Sequence, residues 1–228
     1  ALAFNSNIDY SVLEISNTEN FDEKKIVVAK NLIKEIINAC EIKSYKELKT
    51  FKGSEFSKTT CSHPFSKMKY DYDVPMLDAQ FVNLEQGTGI VHCAPSHGPD
   101  DFNLCLKNNI PSLYTVDDSG LYTKEIPFFE KTHIFKADNI VIEKLKEEKK
   151  LLKNDKLNHT YPHSWRSKAP LIYRATPQWF ISMQKNDLRK KAIKSINETD
   201  FYPKKGKDRL LSMIEGRPDW CVSRQRVW

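Results

Sequence analysis

Residues 87–102 read GTGIVHCAPSHGPDDF, and they predict a strand that passes directly into a helix. The first eight, GTGIVHCA, combine glycine with apolar and β-branched residues, a composition typical of a strand. Pro99 suits the first position of a helix, because a backbone N–H would have no partner there. Polar side chains gather between the two elements. The stretch therefore predicts an α/β fold with a polar site at a strand-to-helix junction.

The sequence before residue 159 alternates between strand and helix patterns. Residues 8–15 favour a strand, and residues 45–94 carry short apolar runs broken by glycine and proline, which predicts a meander of strands. Between residues 22 and 40 the apolar side chains recur at helical spacing behind two acidic residues, and they predict the clearest helix of the chain. A strand is predicted over 121–126, and Asp138 is predicted to cap a helix after it.

The amino-acid composition changes near His159, where aromatic residues and prolines become frequent. We place a domain boundary there, so that residues 1–158 form one domain and residues 159–228 a second segment. Two helical patterns lie in that segment, and Gly216 closes the second of them. Residues 220–222 favour a strand, which is expected to find no sheet to join within this sequence.

Composition excludes several classes of protein. The chain has 228 residues, of which 39% are hydrophobic, and no apolar run is long enough to span a membrane. We therefore expect a soluble, cytosolic protein without membrane partners. The five cysteines are scattered and form no CxxC pair, so reduced thiols are expected. The formal charge of +6 permits an anionic partner such as nucleic acid but does not identify one.

Four titratable residues, His92, His97, Asp100 and Asp101, crowd the predicted junction. Zinc would accept such ligands, but the spacing lacks the HExxH pattern that places two imidazoles on one helical face, so no metal is predicted. Helix capping could account for the aspartates, and a satisfied core histidine could account for His92. The sequence contains neither a GxSxG nucleophile motif nor a phosphate-binding GxxxxGK[ST] loop.

Four segments together resemble the bacterial-type isoleucyl-tRNA synthetases. They are residues 87–102, YPHSWRSKAP at 161–170, YRATPQWFIS at 173–182 and RPDWCVSRQR at 217–226. The resemblance implies the inserted editing domain of such an enzyme, with a β-barrel-like core wrapped by helices that include residues 22–40. Residues 159–228 would then be the return segment towards the catalytic Rossmann domain.

The resemblance also implies an activity, the hydrolysis of valine from wrongly charged isoleucine tRNA. The site that ligates the amino acid can favour isoleucine over valine by only about 1–3 kcal/mol, because the two differ by one methylene. A second site must therefore hydrolyse the valyl product. The residue matching Asp101 would grip the α-ammonium group, and the residue matching His92 would line the pocket and exclude isoleucine. Further substrate-binding residues are expected at Gly87, Thr88, Gly89, His97 and Asp100.

Parts of the family pattern are not in this sequence. The threonine-rich editing peptide of the family is expected just before Ala1, and the HIGH and KMSKS signatures of the ATP site do not occur. ATP and Mg²⁺ are therefore expected in a full-length parent, and no cofactor in this chain. Many relatives carry a zinc-binding CWRC where this chain has Ser164-Trp165-Arg166-Ser167, and because serine is a poor zinc ligand we predict no zinc.

The expected partners are isoleucine tRNA and the remainder of the synthetase, with the chain itself a monomer. One alternative is a tRNA-binding or structural module without hydrolytic activity. Its RNA contacts would be Trp165, Arg166, Tyr173, Arg174 and Trp179, which could equally be packed in a core. An unrelated metal-dependent hydrolase built on the His92 cluster is a further alternative, and it would require bound metal.

Overall fold

The computed structural model describes residues 1–16, 19–85, 87–156 and 158–224. The chain divides into two compact units, Ala1–Ala175 and Thr176–Trp228, and each is described by itself. Strands and helices occur in both, which confirms the mixed α/β class. The functional boundary near His159 stays a prediction, and the structure keeps residues 159–175 within the first unit.

Two open sheets form the first unit. One is four-stranded, in the order β5-β6-β1-β7, with β1 parallel to β6 and the other pairs antiparallel. The other is antiparallel, in the order β3-β2-β4. Their strands are β1 (Leu2–Phe4), β2 (Asp9–Ile15), β3 (Lys25–Ala29), β4 (Tyr45–Lys52), β5 (Thr60–Ser62), β6 (Asp73–Asp78) and β7 (Val91–His92).

Three helices belong to the first unit, α1 (Ile33–Ala39), α2 (Pro99–Lys107) and α3 (Ile134–Glu147). The second unit contains α4 (Leu188–Glu198) and α5 (Lys205–Glu215), together with a ribbon of β8 (Phe180–Ile181) and β9 (Trp220–Cys221). Among the described residues, no helix has the length and apolar character needed to cross a membrane.

Both sheets of the first unit contribute to one hydrophobic core. Phe4 and Met76 from the four-stranded sheet are buried with Tyr10 and Leu13 from β2. The Phe56 ring joins them, with its centroid 5.3 Å from that of Phe4 and 5.0 Å from that of Tyr10. Burial of these side chains is the main source of stability, since each is worth roughly 1.5–3 kcal/mol.

A smaller core lies under helix α2 and anchors the predicted site. Cys105 of α2 is fully buried against Cys93, which follows β7, and against Ala3 of β1. The helix is thus held on the sheet by a short apolar contact, while Asp100 and Asp101 occupy its first turn.

The resemblance implied a β-barrel-like core, and this is not confirmed. The described residues form open sheets, because β7 is only two residues long and the three-stranded sheet ends at β3 and β4. A closed barrel requires every strand to be paired on both sides.

The predicted helix over residues 22–40 is wrong in its first half. Lys25–Ala29 is strand β3, a 3-10 turn follows at Lys30–Leu32, and only Ile33–Ala39 is α-helical. The β-branched run Ile26-Val27-Val28 pairs along β2. Such residues pack well on a pleated surface, so the sheet contact overrides the helical spacing.

Two predictions around helix α3 also need correction. The strand expected over 121–126 is reduced to isolated bridges, Val116 with Tyr122 and Leu121 with His133. The helix begins at Ile134 with His133 as its N-cap, so Asp138 lies inside it. The His133 side chain accepts the Phe135 N–H at 3.3 Å and takes the role that Asp138 was expected to have.

In the second unit, helix α5 ends at Gly216 as predicted. The Arg189 side chain of α4 donates to the carbonyl oxygens of Ile214, Glu215 and Arg217, which satisfies groups that the end of α5 leaves free. The prediction that the strand at residues 220–222 would find no sheet to join is wrong, since Trp220 pairs with Ile181 and Cys221 pairs with Phe180. The last four residues of the chain, 225–228, lie outside the described residues.

Candidate functional site

The predicted strand-to-helix junction is confirmed, but the strand predicted over residues 87–94 is reduced to Val91–His92, because residues 87–89 form a turn. His92 ends β7, where it pairs with Leu2 of β1, and α2 begins at Pro99 with Gly98 as its N-cap. Turns between these points bring the first turn of the helix back towards the end of the strand. The junction therefore places polar side chains from two elements at one edge of the four-stranded sheet.

Asp101 is half-buried and bonded to the backbone of the junction. Its Oδ2 atom accepts the Ala94 N–H at 2.9 Å. Among the described residues no Lys, Arg or His forms an ion pair with it. A carboxylate offers about four lone-pair sites, so Asp101 retains acceptor capacity for a cation.

His92 presents a neutral imidazole to the same region. Its side chain is exposed to solvent on one side, but burial of the rest lowers the pKa of the imidazole below its ordinary value. The Asp101 carboxylate opposes that shift in pKa only in part. A neutral imidazole on a strand is bulky and carries no charge. It is therefore better suited to excluding a larger side chain by its size than to binding an anion.

His97 is engaged by protein on both sides of its ring. Its Nδ1 lies 2.7 Å from the Tyr173 carbonyl oxygen, and its Nε2 lies 2.9 Å from the Thr115 hydroxyl. These bonds tie the junction to distant parts of the first unit. The expected substrate contact of His97 remains a prediction, as does that of Asp100, which is exposed in the same helical turn as Asp101.

The glycine-led turn at Gly87, Thr88 and Gly89 is bonded to the three-stranded sheet. The Tyr10 hydroxyl donates to the Gly89 carbonyl at 2.7 Å, and the Ala29 N–H donates to the Thr88 carbonyl at 2.8 Å. Gly87 and Gly89 both have positive φ, at 77° and 78°. These bonds place the start of β7, and substrate contacts by the three residues stay a prediction.

Replacing Gly89 by alanine is expected to destabilise the protein by about 2–4 kcal/mol. A Cβ there would lie 2.4 Å from the Ala29 Cβ, so overpacking adds to the cost of positive φ. Gly87→Ala is the matched control, because its φ is the same but nothing lies within 4 Å of the added Cβ. Urea denaturation of both variants measures the difference, and equal losses would contradict the packing account.

One histidine with a lowered pKa was not found from the sequence. His63 follows β5, and burial lowers the pKa of its imidazole, with the charge of His92 as the next cause. The His63 ring stacks on that of Tyr70, with centroids 4.8 Å apart. The sequence offered one signal for it, the aromatic residues within HPFSKMKYDY at 63–72. That composition is equally typical of an ordinary core segment, so it did not single out His63.

No metal centre is evident in the described part of the chain, where no three His, Cys, Asp or Glu side chains converge. Residues 164–167 form a tight turn, in which Ser164 Oγ accepts the Ser167 N–H at 3.3 Å and the Ser164 carbonyl accepts the Lys168 N–H at 2.9 Å. The expected absence of zinc there stays a prediction.

Comparison with known proteins identifies the family. The model of the class I tRNA synthetases (I, L, M and V) matches residues 6–228. The chain belongs to this family. Over all 228 residues it is 65% identical to the isoleucine–tRNA ligase of Pelagibacter ubique (strain HTCC1062), and it covers 25% of that protein. The ligase of Pasteurella multocida (strain Pm70) is 38% identical over the same length, with 23% of that protein covered.

The resemblance to isoleucyl-tRNA synthetases is thus confirmed over the whole sequence, and the chain spans about a quarter of the length of these relatives. Among solved structures, this chain is similar to the crystal structure of GlLeuRS-CP1. The TM-score is 0.39 and the sequence identity is 16%, over 64% of this chain and 60% of that chain. That likeness is too weak to support a conclusion.

Proposed function

We propose that this chain is the editing domain of an isoleucyl-tRNA synthetase and hydrolyses valine from mischarged isoleucine tRNA. One observation carries the proposal. The Asp101 carboxylate accepts the Ala94 N–H at 2.9 Å, has no cationic partner among the described residues, and lies in the first turn of α2, a short turn after His92 at the end of β7. A carboxylate without a cationic partner can bind the free ammonium group of an amino acid, and the nearby His92 ring would limit that amino acid to a small one.

The chemistry assigns separate roles to the two residues. Asp101 binds the α-ammonium of the esterified valine, which positions the ester carbonyl carbon for attack by water. The water oxygen bonds to that carbon, the ester C–O bond breaks, and the ribose oxygen takes a proton, so valine and uncharged tRNA leave. His92 limits the space for the side chain and excludes isoleucine, which has one methylene more. No protein nucleophile is required.

The partners proposed for the whole enzyme follow from the same assignment. They are isoleucine tRNA and the remainder of the synthetase, acting in the cytoplasm with this chain as a monomeric part. ATP and Mg²⁺ would serve ligation in the parent. Neither ATP-site signature occurs in this sequence, so its residues do not fit that site and no step here passes through ATP.

The test is hydrolysis of isoleucine tRNA charged with labelled valine or with labelled isoleucine, by the full-length synthetase that carries this sequence. We expect valine to be released about 10- to 200-fold faster, the discrimination that one methylene allows. Release of both amino acids at the same rate, or of neither above the rate without enzyme, would contradict the proposal.

A second candidate is an RNA-binding module without hydrolytic activity. It is favoured by Trp165, which is 74% exposed, and by Trp179, which is 80% exposed, so neither is packed in a core. The Arg166 guanidinium lies 4.6 Å from the Trp165 ring centroid. Residues 176–228 hold 12 of the 36 Lys and Arg and 6 of the 30 Asp and Glu, so the formal excess of +6 falls there. Binding of tRNA without release of valine would favour this candidate.

A further inference from the structure

The turn between β7 and α2 is anchored to a later segment of the first unit by two consecutive side chains. Ser96 is buried, and its Oγ donates to the Leu113 carbonyl oxygen at 2.6 Å. His97 is half-buried, and both nitrogens of its ring are bonded to residues further along the chain. The turn is thus fixed by contacts outside the strand and helix that it joins.

The two nitrogens of the His97 ring have different roles. A carbonyl oxygen can only accept, so Nδ1, which lies 2.7 Å from the Tyr173 carbonyl oxygen, carries the proton of the neutral imidazole. Nε2 is then an acceptor, and the Thr115 hydroxyl donates to it at 2.9 Å. This tautomer satisfies the ring within the protein, so a substrate contact by either nitrogen would require one of these bonds to break.

The backbone of the same turn connects His97 to Asp101. The Ala94 carbonyl accepts the His97 N–H at 3.0 Å, and the Ala94 N–H donates to the Asp101 Oδ2 at 2.9 Å. Gly98 is also close to the carboxylate, since a Cβ added to it would lie 3.9 Å from the same Oδ2. The position of the carboxylate therefore depends on the turn, which the His97 side chain helps to fix.

We propose that His97 is a positioning residue for the hydrolysis of valyl-tRNA, and that it holds the turn at residues 94–98 so that Asp101 meets the α-ammonium group. The inference rests on the proposed function, in which Asp101 binds that group. A displacement of about 1 Å in a group that orients a substrate is enough to slow a reaction strongly. His97 acts through Asp101 and does not itself contact the substrate.

The first test is single-turnover deacylation of valyl-tRNA by the full-length synthetase. His97→Ala removes both side-chain bonds and is expected to slow the reaction about tenfold. Thr115→Val removes only the hydroxyl that donates to Nε2 and should slow it about threefold, whereas Thr115→Ser keeps a hydroxyl and should restore the rate. Thr123→Val is the matched control and should leave the rate unchanged, since this hydroxyl donates to the Tyr114 carbonyl at 2.7 Å instead.

A double variant separates positioning from a general loss of stability. Asp101→Asn keeps an acceptor for the Ala94 N–H but removes the charge. If His97 acts through the carboxylate, adding His97→Ala to this variant should slow it less than about twofold, because no charged group is left to misplace. Equal slowing by His97→Ala in both backgrounds would show that His97 contacts the substrate or only supports the fold, and it would overturn the proposal.

Hydrogen exchange provides a readout that does not depend on hydrolysis. In the full-length synthetase, His97→Ala should speed the exchange of amides at residues 94–98 about two- to tenfold and leave exchange along β2 unchanged. Unchanged exchange at residues 94–98 overturns the proposal. If exchange is faster along β2 as well, the same comparison with Thr115→Val decides. A synthetase that does not hydrolyse valyl-tRNA contradicts the proposed function, whereas exchange still decides whether His97 holds the turn.

Discussion

Replacing Asp101 by alanine is expected to slow the hydrolysis of valyl-tRNA about ten- to hundredfold. The change removes a charge-assisted hydrogen bond to the α-ammonium group, worth about 1.5–3 kcal/mol. It also leaves the Ala94 N–H without the acceptor that lies at 2.9 Å, so a loss of stability must be separated from a loss of binding. The measurement is single-turnover deacylation by the full-length synthetase.

Asp101→Asn makes that separation. The asparagine carbonyl can still accept the Ala94 N–H, so the junction keeps its bond while the negative charge is removed. We expect the melting temperature to stay near that of the unchanged protein and deacylation to fall almost as far as in Asp101→Ala. Full activity in the asparagine variant would show that the carboxylate does not bind the ammonium. Glu130→Ala, which removes an exposed carboxylate elsewhere, is the control for a general charge effect.

Replacing His92 by alanine is expected to change which substrate is cleaved. Removal of the imidazole frees space at the proposed valine site, so isoleucyl-tRNA should be hydrolysed at least about tenfold faster than by the unchanged enzyme. Hydrolysis of valyl-tRNA should change less, because the ammonium contact is retained. The ratio of the two deacylation rates is the quantity to compare.

His92→Phe tests whether size or hydrogen bonding excludes isoleucine. Phenylalanine keeps a planar ring of similar bulk on the same strand, so a steric gate should still reject isoleucyl-tRNA. If His92→Phe admits isoleucine as readily as His92→Ala, a polar contact of the imidazole carries the discrimination instead. Equal slowing of both substrates, together with a lower melting temperature, would assign His92 a structural role.

Local signals in the sequence were sufficient for several elements. Pro99 and the acidic residues after it predicted the start of α2, and Gly216 predicted the end of α5, because helix ends are determined by a few adjacent residues. Strand β2 followed from its β-favouring residues. The four segments at residues 87–102, 161–170, 173–182 and 217–226 together predicted the family, since their order of residue types is specific even where each residue alone has a structural explanation.

Other features depended on contacts between residues far apart in the chain. Ile26, Val27 and Val28 fit both a helical spacing and a strand, and pairing with β2 decided between them. His133, and not Asp138, caps α3, because the helix begins at Ile134, directly after the β-bridge between His133 and Leu121.

The candidate site shows the same division. The sequence by itself brought His92 and Asp101 together, because only a short turn separates their strand and helix, and it indicated the chemistry they would share. Tertiary structure decided that His97 is bonded to Thr115 and Tyr173, and that His63 stacks on Tyr70. Those contacts join segments that no local pattern relates, since they are set by how the sheets and loops pack rather than by the residues on either side.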